Sequence, residues 1–313
     1  MHKDSCILIT GAVGMVGSAL VRHLKYLGFK NILMPDSKEL DLRNQEMVYL
    51  YFAENEIEYV FHLAAKVGGI NANINFPAEF LYDNIIMGCN VINSARKYGV
   101  KKLLFLGSSC IFPKNCRQPM KETDIMTGPL EPTNEGYAFG KLSILKMCEM
   151  YNKQFGTNFI SLMPCNIYGI GDHFDLERSH VMGALITKFH NAKINNLPSV
   201  EIWGSGKAKR EFIFVDDVIE AIMFFMEKCN VDDISPFVNI GTGQDITINE
   251  LAHLISSVIG YKGKIIFNKD KPEGMLRKCL DVTKARKLGW KAEVQLMDGL
   301  EKTYDWYVKN ENK

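Results

Sequence analysis

Tyr137 and Lys141 stand four residues apart in YAFGK. On a helix that spacing puts both on one face, one turn apart. A phenol titrates near pH 10 and is a poor acid–base group at neutral pH unless a cation lowers it. Lys141 would supply that charge, and Tyr137 could then give a proton to a ketone oxygen as hydride arrives at its carbon. Ser108 or Ser109, in GSSCIFP at 107–113, would sit at the carboxyl end of a strand. Ligands collect outside such ends in open α/β sheets, so either serine could hydrogen-bond the same oxygen. Alone, Y-x-x-x-K also describes a solvated helix pair; the case for chemistry rests on its company.

Cys110 follows the serines. Alternation along an extended segment would turn it to the side of Ser108. A thiolate there, near Lys141, could remove a proton α to a carbonyl; by residue type alone a buried structural Cys is equally expected. His180 lies in the polar segment DHFDLERSHV and could return a proton as an acid, although a lone His in such a loop is more often solvated. Together the two would make an acid/base pair for epimerisation, and neither alone does.

Positioning these side chains requires strands that alternate with helices. SCILIT at 5–10, NILMPD at 31–36, YVFHLAA at 59–65 and KLLFLGSS at 102–109 read as strands. The stretches after Gly17, at 44–56 and at 83–98 have helical apolar spacing. That order predicts an α/β fold, a Rossmann-type doubly wound parallel sheet. Further on, FISLMPC at 159–165, VEIWG at 200–204 and FVNIGTG at 237–243 read as strands, 180–192 as a helix, and 210–228 as strand then helix. After about residue 170 polar, glycine-containing insertions interrupt the alternation. The expected division is a Rossmann domain over 1–170 and a smaller C-terminal α/β substrate lobe over 171–313, with segments near 210–245 returning to the first domain.

Gly11, Gly14 and Gly17 form G-x-x-G-x-x-G between the first strand and helix. The first glycine allows a tight turn, the second lets the backbone approach a pyrophosphate, and the third lets the helix pack close. The diphosphate then meets free N–H groups at the helix start. This context, strand–turn–helix, points to a dinucleotide. At the end of the second strand Asp36 would favour NAD, whereas Ser37 and Lys38 could take a 2′-phosphate if Asp36 turns away. Asp41-Leu42 is spaced for the adenine, and Leu63, Ala64 and Ala65 give a small-residue wall beside the cofactor.

The 313 residues are 47% hydrophobic and 23% charged with net charge +1, an ordinary globular balance without the bulk basic field that nucleic acid requires. No apolar run of 18 or more residues occurs, so no membrane span is expected, nor a signal peptide. The eight Cys are scattered with no C-x-x-C pair. Neither a metal site nor a redox dithiol is signalled. Most are expected to be small buried hydrophobes in a reducing, cytoplasmic setting.

With these residues in view, the chain resembles the extended short-chain dehydrogenase/reductase superfamily and, within it, the GDP-L-fucose synthase family. The resemblance runs through GMVGSA, AAKVGGI, LLFLGSSCIFP, LEPTNEGYAFGK, NIYG, SHV, WGSG, REFIFVDD and NIGTG. It implies a reductase triad of Ser108, Tyr137 and Lys141, an epimerisation base and acid at Cys110 and His180, and NADPH as cofactor with NAD still open. It implies cofactor contacts at Met15, Val16, Lys141, Pro164 and Asn166 beside those above. It further implies a GDP-sugar held by Ser109, Asn166, Lys188, Trp203 and Arg210, and a homodimer joined through helices near 84–98 and 138–152. Arg210 can clamp a diphosphate and Trp203 offers a flat apolar surface. The chain departs from the family pattern at Val13 and at Pro35-Asp36-Ser37, where Arg is usual, which weakens the expected grip on a 2′-phosphate. It departs again at Ile170-Gly171-Asp172-His173-Phe174, a loop expected to border the sugar. Two other functions are compatible with the motifs. One is a C4 reductase without epimerisation, acting on a GDP-4-keto-heptose. The other is a non-catalytic sensor of NADP, which would be expected to lack the Tyr or the Lys.

Overall fold

The structure, a computed structural model, describes residues 1–175, 179–271 and 274–310. Its first half contains β1 (Ile7–Thr10), α1 (Met15–Tyr26), β2 (Ile32–Leu33), α2 (Gln45–Glu54), β3 (Tyr59–His62), α3 (Ile70–Asn75), α4 (Pro77–Lys97), β4 (Lys102–Leu106), α5 (Glu135–Phe155) and β5 (Phe159–Pro164). Then follow β6 (Asn166–Tyr168), α6 (Val181–Ile194), β7 (Ser199–Trp203), β8 (Lys209–Phe214), α7 (Val215–Lys228), α8 (Val231–Ile234) and β9 (Val238–Ile240). The chain closes with β10 (Asp245–Thr247), α9 (Ile248–Ile259), β11 (Lys264–Asn268), β12 (Arg277–Lys278), α10 (Thr283–Lys287) and α11 (Leu296–Asn310).

Six strands form one sheet in the order β2-β1-β3-β4-β5-β9, every neighbouring pair parallel. β1, β4 and β5 are buried along their whole length, the unbroken apolar run expected of a strand covered on both faces. The fold is Rossmann-type and doubly wound. The chain leaves β1 toward β2 on one side and continues to β3 on the other. That reversal opens a crevice at the carboxyl ends of β1 and β3.

Several expected strands are shorter than read: SCILIT gives Ile7–Thr10, YVFHLAA gives Tyr59–His62 and FVNIGTG gives Val238–Ile240. NILMPD contributes only Ile32–Leu33, because Pro35 has no N–H to donate to the ladder. KLLFLGSS stops at Leu106, and Ser109–Ile111 form a 3-10 turn instead. Ser108 Oγ accepts from the Cys110 N–H at 3.2 Å, a local bond that competes with further extension.

The last third builds two small sheets. β8 pairs with β6, β10 and β12, and β7 pairs with β11. β9 leaves these and joins the large sheet beside β5. Glu211, 0% exposed in β8, clamps the junction: its carboxylate accepts from Gly243 N at 2.7 Å and Leu280 N at 2.6 Å. Lys102, buried at the start of β4, donates to the carbonyls of Phe225 at 3.1 Å and Met226 at 2.6 Å, and to Cys229. These carbonyls lie at the end of α7, where Phe225 also accepts from the Cys229 N–H. α4 and α5 are each 21 residues long, about 30 Å, and pack closely along each other. A Cβ on Gly140 would stand 3.0 Å from Asn84 Cβ.

Candidate active site

Gly11 has φ +75°, and a Cβ there would lie 2.8 Å from Ala64 Cα and N. The turn thus touches the backbone of Leu63 and Ala64. A Cβ on Gly17 would run into the Gly11 carbonyl oxygen, so only glycine lets α1 start this close to β1. Gly14 is the N-cap of α1 and has no side chain to satisfy the first N–H groups, which remain available to an anion. Met15 and Val16, in that first turn, are half-buried. Val13 is 81% exposed. The residues present fit a dinucleotide diphosphate.

The ambiguity at the end of β2 narrows. Asp36 Oδ1 accepts from the backbone N–H of Lys38 at 2.7 Å and of Glu39 at 2.9 Å. The carboxylate is therefore turned into its own loop, and Ser37 and Lys38 are exposed beside it. Asp41 is engaged by Arg43 through two N–H groups, which holds its carboxyl below the usual range. Leu42 is buried and its carbonyl accepts from Asn90.

At the carboxyl end of β4 the reacting groups meet. Lys141 and Tyr137 lie on one face of α5, the Lys141 ammonium 6.0 Å from the phenol ring centroid. Lys141 Nζ donates to the Leu106 carbonyl at 2.9 Å. Burial pushes Lys141 down to about 7, with the Cys110 charge opposing. The expected lowering of Tyr137 by Lys141 does not occur. Burial, then the nearby Cys110 charge, push the phenol up, and a hydrogen bond with Ser108 opposes them. Desolvation outweighs a cation whose own charge is already disfavoured by burial. Of the two candidate serines Ser108 is the one at the phenol; Ser109 is 3% exposed and turns into the protein.

Cys110 does reach the side of Ser108, but through the 3-10 turn rather than an extended strand. Its Sγ receives Asn134 Nδ2 at 3.1 Å and Lys278 Nζ at 3.3 Å. Burial alone would raise the thiol; Lys278, Ser108 and Asn134 outweigh it and hold the group below its ordinary value. The cation in contact is thus Lys278 on β12, not Lys141. Residue type and spacing single out neither Lys278 nor Asn134. Asn134 lies within the LEPTNEGYAFGK motif, three residues before Tyr137, whereas nothing in the local sequence around Lys278 marks it. Of the other thiols, Cys148, Cys165, Cys229 and Cys279 are buried, Cys6, Cys89 and Cys116 are half-buried like Cys110, and all are free.

His180 is the N-cap residue of α6. Solvent reaches it, yet the surrounding protein, then Lys278 and His173, hold its pKa below the ordinary imidazole value. Lys278 therefore bears on both Cys110 and His180. Within DHFDLERSHV, residues 176–178 lie outside the described residues. The loop at 170–174 lies close to two helix starts. A Cβ on Gly171 would lie 3.8 Å from Met15 Cα, and one on Gly183 would meet the His173 carbonyl, so the loop bridges the starts of α1 and α6. Burial pushes Asp172 up to about 7.

Of the remaining expected contacts, Pro164 ends β5 and Asn166 starts β6, its Nδ2 donating to the Glu211 carbonyl at 2.7 Å. Trp203, 46% exposed, lies between Lys188 at 5.8 Å and Lys271 at 5.5 Å from the ring centroid. Lys188 Nζ also donates to the Glu201 carbonyl at 3.0 Å. Arg210, on β8, is in register with Lys278 of β12. Trp203 thus has two ammonium groups at its ring on the β7–β11 sheet, while Arg210 belongs to the other small sheet. No helix among the described residues is long and apolar enough to cross a membrane.

The pattern of the NAD dependent epimerase/dehydratase family matches residues 7–241. The chain belongs to this family. It is 48% identical over 312 residues to the putative GDP-L-fucose synthase 2 of Arabidopsis thaliana, covering 99% of this chain and 94% of that protein. It is 45% identical over 313 residues to the GDP-L-fucose synthase of Escherichia coli (strain K12), covering 98% of each. Among solved structures, the GDP-mannoheptose C4 reductase from Campylobacter jejuni with NADP bound superposes with a TM-score of 0.91 at 36% identity, covering 98% of this chain and 99% of that one.

Proposed function

We propose that this chain uses NADPH to reduce the C4 ketone of a GDP-4-keto sugar and also epimerises C3 and C5, giving GDP-L-fucose or a close relative. The observation that carries the reading is Cys110, a sulfur held by two N–H donors next to the Ser108–Tyr137 hydroxyls. Similarity to curated GDP-L-fucose synthases over nearly the whole chain supports the substrate.

The glycine turn, the α1 N-terminus and the Ser37–Lys38 loop would hold NADPH, which when bound supplies the hydride for C4. Cys110 as thiolate takes a proton from the carbon beside the ketone; the electron pair of that C–H bond passes into an enolate on the C4 oxygen. Ser108 and Tyr137 hold that oxygen. His180 returns a proton to the opposite face of the carbon, and the developing enolate is the negative charge that favours its protonated form. Once Cys110 has given that proton to solvent and His180 has taken one up, the same exchange inverts the second carbon; Tyr137 then gives its proton to the C4 oxygen as hydride reaches the carbon. Trp203, Lys188 and Arg210 would hold the GDP portion, with 171–313 acting mainly as the substrate lobe. Eight unpaired thiols accord with a cytoplasmic setting.

We also propose a homodimer through α4 and α5. Tyr82, Phe139 and Met150 are exposed there, with Ile85, Ile86 and Cys89 half-buried among them. Such an apolar face fits a second copy.

A second reading, C4 reduction alone on a GDP-4-keto-heptose, is favoured by the altered 170–174 loop and the likeness to a heptose C4 reductase. Hydride consumption against a panel of GDP-4-keto sugars, with NADH and NADPH in parallel, separates the two. The first reading expects the 6-deoxy-hexose with NADPH to turn over fastest; preference for the heptose overturns it.

A further inference from the structure

We infer that Lys278 is a positioning residue for the proton-transfer half of the reaction: from β12 of the smaller lobe it holds Cys110 as the base. The inference rests on the epimerase reading above and names what makes that base competent.

The geometry is that of an acceptor sulfur. A thiol has one hydrogen to donate, but the groups at Cys110 Sγ are Lys278 Nζ at 3.3 Å and Asn134 Nδ2 at 3.1 Å. Both are donors only. A protonated sulfur could place its hydrogen only toward the Ser108 hydroxyl and would accept weakly from these two donors; a thiolate satisfies both and can take the hydroxyl's hydrogen as well. The titratable groups facing Cys110 are Tyr137 and Lys141 from α5 and Lys278 from β12. Tyr137 carries its proton. Lys141 is tied to the Leu106 carbonyl. Lys278 is thus the cation in contact with the sulfur. It also bears on His180 from α6, which in turn faces His173.

Lys278 is held in place by its strand. β12 pairs in parallel with β8, Lys278 opposite Arg210. The next three residues are each fixed: Cys279 N donates to Gln118 Oε1 at 2.9 Å, Leu280 N to buried Glu211, and Asp281 N to the Met120 carbonyl at 2.8 Å. Residues from both parts of the chain hold the strand that carries this ammonium. One cation between Cys110 and His180 has a consistent consequence. It favours the charged sulfur, the state from which Cys110 can accept a proton, and it disfavours charge on His180 until the enolate forms. When it does, the negative charge moves from sulfur to the enolate oxygen.

The test reads Cys110 without substrate. The wild type, Lys278→Met and Lys278→Arg are alkylated with iodoacetamide between pH 5 and 10, and the tryptic peptide spanning 103–114, whose sole thiol is Cys110, is followed by mass spectrometry. The wild-type midpoint is expected below the free-thiol value of about 8.5. Lys278→Met should raise it by about one pH unit or more, and Lys278→Arg should restore most of the shift. Coincident profiles for wild type and Lys278→Met would overturn the inference. So would a wild-type midpoint at or above the free-thiol value, which needs no variant to fold. Because no sugar is present, failure of the epimerase reading leaves this profile unchanged, and the two are told apart.

Discussion

Burial and the nearby sulfur push the Tyr137 phenol up, so it carries its proton at neutral pH. That is the form a donor needs before hydride arrives, and the hydrogen bond with Ser108 is the contact that eases its loss of that proton. Tyr137→Phe should lower kcat/KM for C4 reduction by about 10²–10⁴-fold, while the dissociation constant for NADPH, read by fluorescence, stays close to the parent's. A variant as active as the parent would remove Tyr137 from the role and reopen the sensor reading. His62 offers a stability test. Burial, then the Lys141 charge, hold it down to about 3, and its Nδ1 pairs with Thr10 Oγ1 at 2.8 Å. In the unfolded chain it titrates near 6.5, so between those values the unfolded state binds the extra proton. Its contribution is present above about pH 6.5 and is lost as pH falls toward 3. His62→Asn should therefore shrink the difference in urea-unfolding free energy between pH 7 and pH 5 by about 2 kcal/mol. An unchanged difference would contradict the burial argument. Ser108, Cys110, Tyr137 and Lys141 were legible as candidates because turn and helix spacing are local. Lys278 was not, because its partner lies 168 residues earlier in the chain and only the strand pairing brings them together.

The glycine turn and the buried runs ILIT, KLLFL and FISLMP were readable as elements because their residues have one physical use each. Their ends were less so. Ser108 bonding its own turn stopped β4 early, a competition between side chain and ladder that apolar spacing does not reveal. Gly17→Ala would press a methyl into the Gly11 carbonyl and push α1 off β1. NADPH binding should weaken roughly tenfold or more, about 1.4 kcal/mol or more, by titration calorimetry; unaltered binding would show that α1 starts elsewhere. Glu211 holds Gly243 and Leu280 from β8. Glu211→Ala leaves two buried N–H groups unpaired and should cost about 2–4 kcal/mol in urea unfolding, a loss that no surface carboxylate would produce.

For the molecule as a whole, the glycine turn and Cys110 lie at the carboxyl ends of strands of the large sheet, and β12 brings Lys278 to Cys110 and into reach of His180 on α6. The α/β alternation announced the large sheet. The departure of the last third was visible only as broken periodicity, and its pairing of β6, β8, β10 and β12 depends on contacts far apart in sequence. If α4 and α5 carry the dimer, Phe139→Glu should move the species seen by light scattering from dimer to monomer, and an unchanged mass would place the interface elsewhere. The central claim is that one carbonyl serves both proton and hydride transfer. Incubation with GDP-4-keto-6-deoxy-mannose and NADPH in D₂O tests it most directly. Product reduced at C4 and carrying deuterium at both C3 and C5 is the predicted result. Reduced product without deuterium at those carbons would contradict it.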